Sequence, residues 1–203
     1  MPNLIIVAGT NGVGKSTFGH YLNRYYNLLF INTDEFYKNM FGGFYQYGVE
    51  ELKKGTAAIR KLQNEYFAKQ QSFAVERILY REDEIGNLIS RARENGYKIS
   101  LIYIGITDIE LSKKRISQRV KQGGHDVDFD LIKENLDLSI QNFTAVCAKA
   151  DNIILYDNSN EQHKYKRVID IRDARVHLKI DKIPNWSKPF IDRLKMLLFE
   201  KWK

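Results

Sequence analysis

A single cysteine among 203 residues rules out any internal disulfide. Cys147 sits among Phe143, Val146 and Ala148, which suits a small buried apolar side chain better than a nucleophile. No apolar run is long enough to cross a bilayer. Met1-Pro2-Asn3 passes straight into an apolar stretch, leaving no room for a signal peptide, so a cytoplasmic protein is expected. Internal repeats, low-complexity tracts and long linkers are missing too, which argues against a multi-domain chain. Acid is in short supply: 25 Asp and Glu face 32 Lys and Arg, giving a formal charge of +7 and a pI near 9.3. Such a balance suits nucleic acid, anionic lipid or phosphorylated small molecules. No basic block with interleaved aromatics stands out, however, so a Lys-rich solvated surface is the preferred reading and nucleic acid is not expected as a partner. What is present is an ordinary globular composition, 43% hydrophobic and 28% charged, enough for one full core.

The most informative segment is Gly9-Thr10-Asn11-Gly12-Val13-Gly14-Lys15-Ser16, which spells G-x-x-x-x-G-K-[ST]. It follows the apolar run Leu4-Ile5-Ile6-Val7-Ala8. A helical pattern then starts, with Phe18, Tyr21, Leu22 and Tyr25 at i, i+3, i+4 and i+7. Strand, glycine-rich loop and helix together are the setting of a phosphate-binding P-loop. Its glycines let the backbone curl until several N–H groups face one anion, and the helix N-terminus adds positive potential. Lys15 is expected to reach the β- and γ-phosphates, and the Ser16 hydroxyl to ligate Mg²⁺. Gly9, Asn11, Gly12, Val13, Gly14, Lys15, Ser16 and Thr17 are the expected nucleotide-binding residues, for ATP or GTP.

Apolar strand patterns at 3–8, 28–32, 72–76, 98–105 and 152–156 alternate with helical patterns near 15–26, 49–71, 82–95, 108–121 and 129–149. That alternation predicts an α/β fold, a parallel sheet of about five strands with helices on both faces. Right-handed crossovers put all strand C-terminal ends on one edge, where ligands bind. After Asn160 the period changes. Residues 165–171 and 174–180 alternate apolar and polar around Arg172-Asp173, as a hairpin does. Pro184 and Pro189 flank a break, and Phe190, Ile191, Leu194, Leu197, Leu198 and Trp202 then mark an amphipathic helix. A docked helix is the preferred reading; the basic residues around it leave membrane-surface attachment as an alternative. The expected division is residues 1–160 as the kinase-like domain and 161–203 as a hairpin and helix packed on it or appended to it.

Three further places carry chemistry. Asp34 ends the second strand pattern, where a carboxylate would stand beside the γ-phosphate, orient an acceptor hydroxyl and take its proton; Thr33 or Asp34 could instead cap the following helix. Glu76 ends Phe73-Ala74-Val75, where P-loop proteins keep an acid that positions Mg²⁺; it could instead hold the acceptor, or pair with Arg77 at the surface. Arg115 and Arg119, four apart, share a helical face and could clamp phosphate oxygens. The glycine pair Gly123-Gly124 after them suits a mobile lid. A solvated basic face has the same spacing. His125 alone reads as a loop histidine.

Taken together, Gly9 to Thr17, Ile31 to Glu35, Ser72 to Glu76, Gln118 to Val127 and Tyr156 to Ser159 resemble the zeta-toxin family of P-loop kinases, from residue 3 to about 160. The resemblance implies a kinase fold using ATP or GTP with Mg²⁺. It implies a hydroxyl acceptor such as UDP-N-acetylglucosamine, and a protein antitoxin as a partner. Carried over by position, Lys15 and Ser16 hold nucleotide and metal, Asp34 is the general base, Glu76 is the acid on the substrate side, and Arg115 and Arg119 contact phosphate. Where related sequences tend to carry a small or hydroxyl residue after the acid, this chain has Arg77 and Ile78. The expected catalytic set is thus Asp34, Lys15, Arg115 and Arg119, with Asp34 and Glu76 on the acceptor and Ser16 on the metal. Two other readings stay open: a nucleic-acid 5′-hydroxyl kinase, marked by a basic groove leading to Asp34, and a nucleotide-dependent binding module acting through a partner.

Overall fold

The computed structural model describes every residue except His125, Asp173, Ala174, Lys179, Asp181, Trp202 and Lys203, together with the side chains of 178 and 198–201. Each strand forms where the sequence is apolar and β-branched. The first, β1 (Asn3–Ala8), lies at the centre, with Leu4, Ile6, Val7 and Ala8 fully buried. It is buried because helices cover both faces, which is why it reads as an unbroken apolar run. The chain then proceeds through α1 (Lys15–Tyr26), β2 (Leu29–Ile31), α2 (Thr33–Phe41), α3 (Val49–Ala68), β3 (Phe73–Arg77), α4 (Glu82–Glu94), β4 (Lys98–Gly105), α5 (Ile109–Lys121), α6 (Phe129–Ala148) and β5 (Asn152–Asp157). The strands β2-β3-β1-β4-β5 are all parallel.

The five expected parallel strands are therefore present, and the sheet does not stop there. The expected hairpin, β6 (Lys166–Arg172) and β7 (Arg175–Leu178), pairs antiparallel with β5 and extends the sheet to seven strands. The short stretch between them, Asp173-Ala174, lies outside the described residues. One helix goes beyond the expected set: α2 starts directly after β2. Asn32, not Thr33 or Asp34, caps it. The Asn32 side-chain oxygen accepts the N–H groups of Asp34 (3.0 Å) and Glu35 (3.2 Å).

The C-terminal helix α7 (Lys188–Lys201) docks into the core. Phe190 is fully buried, with its ring 4.4 Å from Tyr103 and 4.9 Å from Phe143, and Ile191, Leu194 and Leu197 are buried beside it. Its apolar stripe is therefore spent on α6 and β4. Leu198 and Trp202, also expected on that stripe, lie outside the described side chains. Cys147 is buried in the same core, as its apolar neighbours led one to expect. Among the described residues no helix is long and apolar enough to cross a membrane.

Candidate active site

The P-loop lies between β1 and α1, at the C-terminal edge of the sheet. Gly9, Gly12 and Gly14 all have positive φ, at 144°, 74° and 101°. A side chain at Gly9 would overlap the carbonyl of Ile104, and one at Gly12 would stand 2.7 Å from the carbonyl of Ser112. The glycines are thus needed both for backbone conformation and for close approach. The Lys15 ammonium is buried and donates to the Thr10 carbonyl at 2.7 Å, 3.5 Å from Glu76 Oε1. Burial pushes its pKa below the usual lysine range, and the carboxylates of Glu76 and Asp34 pull the other way. A buried cation beside a backbone nest is a site for an anion.

Glu76, at the end of β3, belongs to this cluster. Ser16 donates to Glu76 Oε2 at 2.9 Å, and the Asn32 amide donates to the same oxygen at 2.9 Å and to Ser16 Oγ at 3.2 Å. Lys15, Ser16, Asn32 and Glu76 thus form one network, assembled from α1, β3 and the end of β2. Ser16 and Glu76 offer a hydroxyl and a carboxylate, the hard oxygen donors that Mg²⁺ takes. Among the described residues no group of three His, Cys, Asp or Glu side chains gathers as a metal cage.

This cluster opens into a cleft of about 1470 Å³. Asp34, in the first turn of α2, is exposed on its wall. The cap of α2 is Asn32, whose side chain accepts the Asp34 N–H, and Asp34 itself stands inside the helix's first turn. Arg115 and Arg119 line the cleft from α5, with Gly123 and Gly124 after them. Arg115 donates to the Asn158 carbonyl at 3.0 Å and has a second guanidinium nitrogen, Nη1, buried without a hydrogen-bond partner. Gly124 packs on the Arg119 side chain, and its N–H donates to the Arg119 carbonyl at 2.9 Å. His125 lies outside the described residues.

Beyond Asp34 the cleft runs between α3 and α4. Arg77 donates to the Glu76 carbonyl at 2.7 Å and to Thr33 Oγ1 at 3.4 Å, and so does not pair with the Glu76 carboxylate network at the P-loop. Arg60, Arg81 and Arg91 follow along the walls, with Glu84 and Glu94 between them.

The structure brings all the sequence-expected site residues to one edge. Sequence reasoning missed three of the side chains that hold them there. Asn32 stands two places before Asp34, and its only signal was its place at the end of a strand pattern. Asn158 lies in the resembling stretch Tyr156 to Ser159, which assigns it no role. Tyr165 was read as the first residue of a hairpin, and nothing in its neighbours connects it with Gly14.

A glycine-rich anion nest at a helix N-terminus, a buried lysine, an acid and hydroxyl pair and a cleft at the strand ends define a nucleotide-binding P-loop kinase. The chain matches the zeta toxin family over residues 1–170 and belongs to it. An uncharacterized protein of Haemophilus influenzae is 32% identical over 131 residues, covering 64% of this chain and 89% of that protein. Among solved structures, the AvrRxo1-ORF1:AvrRxo1-ORF2 complex with ATP is similar with a TM-score of 0.68 at 18% identity, covering 97% of this chain and 71% of that one. The PezAT chromosomal toxin-antitoxin system of Streptococcus pneumoniae is similar with a TM-score of 0.64 at 18% identity, covering 98% and 88%.

Proposed function

We propose that this kinase transfers the γ-phosphate of ATP or GTP to a hydroxyl of a small metabolite, with a nucleotide-sugar such as UDP-N-acetylglucosamine as the acceptor. The observation that carries the reading is the single cleft that joins the Lys15–Glu76–Ser16–Asn32 network to the exposed Asp34 carboxylate. The P-loop N–H groups and Lys15 bind the phosphates. Asp34 orients the acceptor hydroxyl and takes its proton as its oxygen bonds to phosphorus, while the bond from phosphorus to the leaving diphosphate oxygen breaks. Arg115 and Arg119 neutralise charge on the transferring group. Ser16 would hold Mg²⁺, and Glu76, hydrogen-bonded to it, sits on the metal side as much as on the acceptor side. When bound, the metal offsets phosphate charge.

The test is mass spectrometry of a bacterial metabolite extract incubated with protein, Mg²⁺ and ATP. The expected product is a nucleotide-sugar heavier by one phosphoryl group; no phosphorylated small molecule at all would remove the reading. A protein antitoxin is proposed as a partner, on the strength of the family and of PezAT being a toxin-antitoxin system. If the acceptor is a cell-wall precursor, overproduction in a bacterium slows growth and Asp34→Asn relieves it. Normal growth with soluble, ATP-binding protein would remove the toxin role and leave the kinase.

A second reading has one observation in its favour. The cleft leading to Asp34 is lined by Arg60, Arg77, Arg81 and Arg91, the basic groove that a 5′-hydroxyl polynucleotide kinase would need. Labelled phosphate appearing on a 5′-hydroxyl oligonucleotide, and on no small molecule, would select it.

A further inference from the structure

Two side chains from outside the P-loop hold its carbonyls. The Asn158 amide, buried at 4% exposure, donates to the Val13 carbonyl at 2.8 Å. The Tyr165 hydroxyl donates to the Gly14 carbonyl at 3.0 Å, beside the Phe18 N–H of α1, which donates to the same oxygen at 3.0 Å. These two carbonyls belong to the consecutive peptide planes whose N–H groups are those of Gly14 and Lys15. A trans peptide is planar, with its C=O and N–H on opposite sides, so pinning the oxygen from one side fixes the N–H toward the other. This matters here because Gly14 sits at φ 101° and glycine permits the plane to turn over.

Both holders are themselves held. The Asn158 N–H donates to the Gly105 carbonyl at 2.9 Å, the Asn158 carbonyl accepts from Arg115 at 3.0 Å, and the Asn158 side-chain oxygen accepts from the Tyr165 N–H at 3.4 Å. Tyr165 has φ 54°, a left-handed backbone that a non-glycine residue keeps only where its surroundings impose it. The Tyr165 ring packs edge-on against Phe18 of α1, 5.0 Å away. Burial pushes its phenol pKa up, so the hydroxyl remains a donor at neutral pH. A Cβ at Gly14 would stand 2.6 Å from the Asn158 amide nitrogen and 3.1 Å from the Tyr165 oxygen, so both groups pack directly on that glycine.

We infer that Asn158 and Tyr165 are positioning residues that aim the Gly14 and Lys15 N–H groups into the phosphate cradle by holding the carbonyls of the same two peptides. This rests on the reading of Gly9 to Ser16 as the triphosphate site. Because Arg115 hangs on the Asn158 carbonyl, the same residue ties the arginine helix to the P-loop. The ligand class the pair serves is the polyphosphate itself, independent of the base.

Calorimetric binding of ATP and of inorganic tripolyphosphate to wild type, Tyr165→Phe and Asn158→Ala tests this. Tyr165→Phe removes one oxygen and keeps the ring. It should weaken both ligands about 5-fold, because the Gly14 carbonyl keeps the Phe18 N–H, and Asn158→Ala about 10–100-fold, the usual consequence of leaving a buried acceptor unpaired, here the Val13 carbonyl. The loss should be equal for the two ligands. In ¹⁵N spectra, the shift of the Lys15 amide on adding tripolyphosphate should shrink in Tyr165→Phe. Unchanged affinities would overturn the inference, as would a loss for ATP alone, which would assign the pair to the base. A lowered melting temperature with unchanged tripolyphosphate affinity would make the residues merely structural and overturn it as well. If Asn158→Ala does not fold, Tyr165→Phe decides. Wild type binding neither ligand would bring down the phosphate-site reading, and this inference with it; variants equal to a wild type that binds would bring down this inference alone.

Discussion

At the end of the cleft proposed for phosphate, eight consecutive residues shape the site, and they do it with backbone. Gly9, Gly12 and Gly14 shape the loop, the Lys15 ammonium is buried against Thr10 and Glu76, and the loop carbonyls are pinned by Asn158 and Tyr165. At the acceptor end the walls come from α2, α3 and α4, and the chemistry comes from long side chains such as Arg60, Arg77 and Arg81. Arg60 and Arg81 are exposed, and Arg81 makes a surface ion pair with Glu84 at 2.8 Å. Backbone donors recognise any polyphosphate, because every nucleotide presents the same oxygens. Exposed side chains on separate helices can be exchanged singly, so this is the end where relatives can diverge in what they phosphorylate. Arg77, which follows the strand acid directly, lies at that end.

The largest expected effect is at the junction. Asp34→Asn should lower phosphoryl transfer about 10²–10⁴-fold, the usual worth of a positioned base, with nucleotide affinity unchanged. Transfer rates and nucleotide Kd measured together check this. Loss of nucleotide binding with normal turnover of the bound fraction would move Asp34 to the phosphate end.

Lys15→Ala should lower transfer about 10²–10³-fold, through one lost charge-assisted contact in a water-poor site, and should weaken nucleotide binding too. ATP turnover and ATP binding are the readouts. A variant with wild-type rates would break the assignment of the phosphate end.

Arg119→Lys keeps the charge and loses the planar fork. A fall of about 10–100-fold in kcat is expected, with a smaller change in nucleotide KM, because the clamp acts on charge that develops during transfer. Equal changes in kcat and in ground-state nucleotide affinity would place Arg119 with the fixed phosphate contacts.

The smallest effect sharpens the comparison most. Arg77→Ser, which replaces a long basic side chain by a small hydroxyl one, should raise the acceptor KM about 3–10-fold and leave the nucleotide KM alone. Movement of the nucleotide KM would show that the two ends are not separate.

Much of the fold is legible in the residues. The run Leu4 to Ala8, the apolar stretch Ile99 to Ile104 and the 3.6-residue stripe through Ile132, Leu136, Ile140 and Phe143 each state their element. The change to alternation after Asn160 states the hairpin. The helix α2 was hard to see because it spans nine residues beside a three-residue strand, too short for periodicity to separate it from a loop. Its cap, Asn32, is recognised by the two N–H groups it accepts, which only the folded backbone displays. Of the site, Lys15, Ser16, Asp34, Glu76, Arg115 and Arg119 all line the cleft. Lys15 and Ser16 are marked by the glycine-rich motif, Asp34 and Glu76 by strand ends, and Arg115 and Arg119 by a shared helix face. Tyr165 carries no such mark, because 151 residues separate it from the glycine it touches.

The sequence by itself determined the phosphate loop, the alternation of strands and helices, and hence the sheet edge on which the chemistry collects. Those features depend on local backbone preference and on burial periodicity, and both are written in consecutive residues. Only the tertiary structure decided that Glu76 bonds to Ser16, that the hairpin prolongs the sheet, that α7 fills the core beside Tyr103, and that Asn158 and Tyr165 hold the loop carbonyls. Each of these is a contact between residues distant in the chain. Its partner is chosen by strand order and by the packing of helices on the sheet, which no local pattern records.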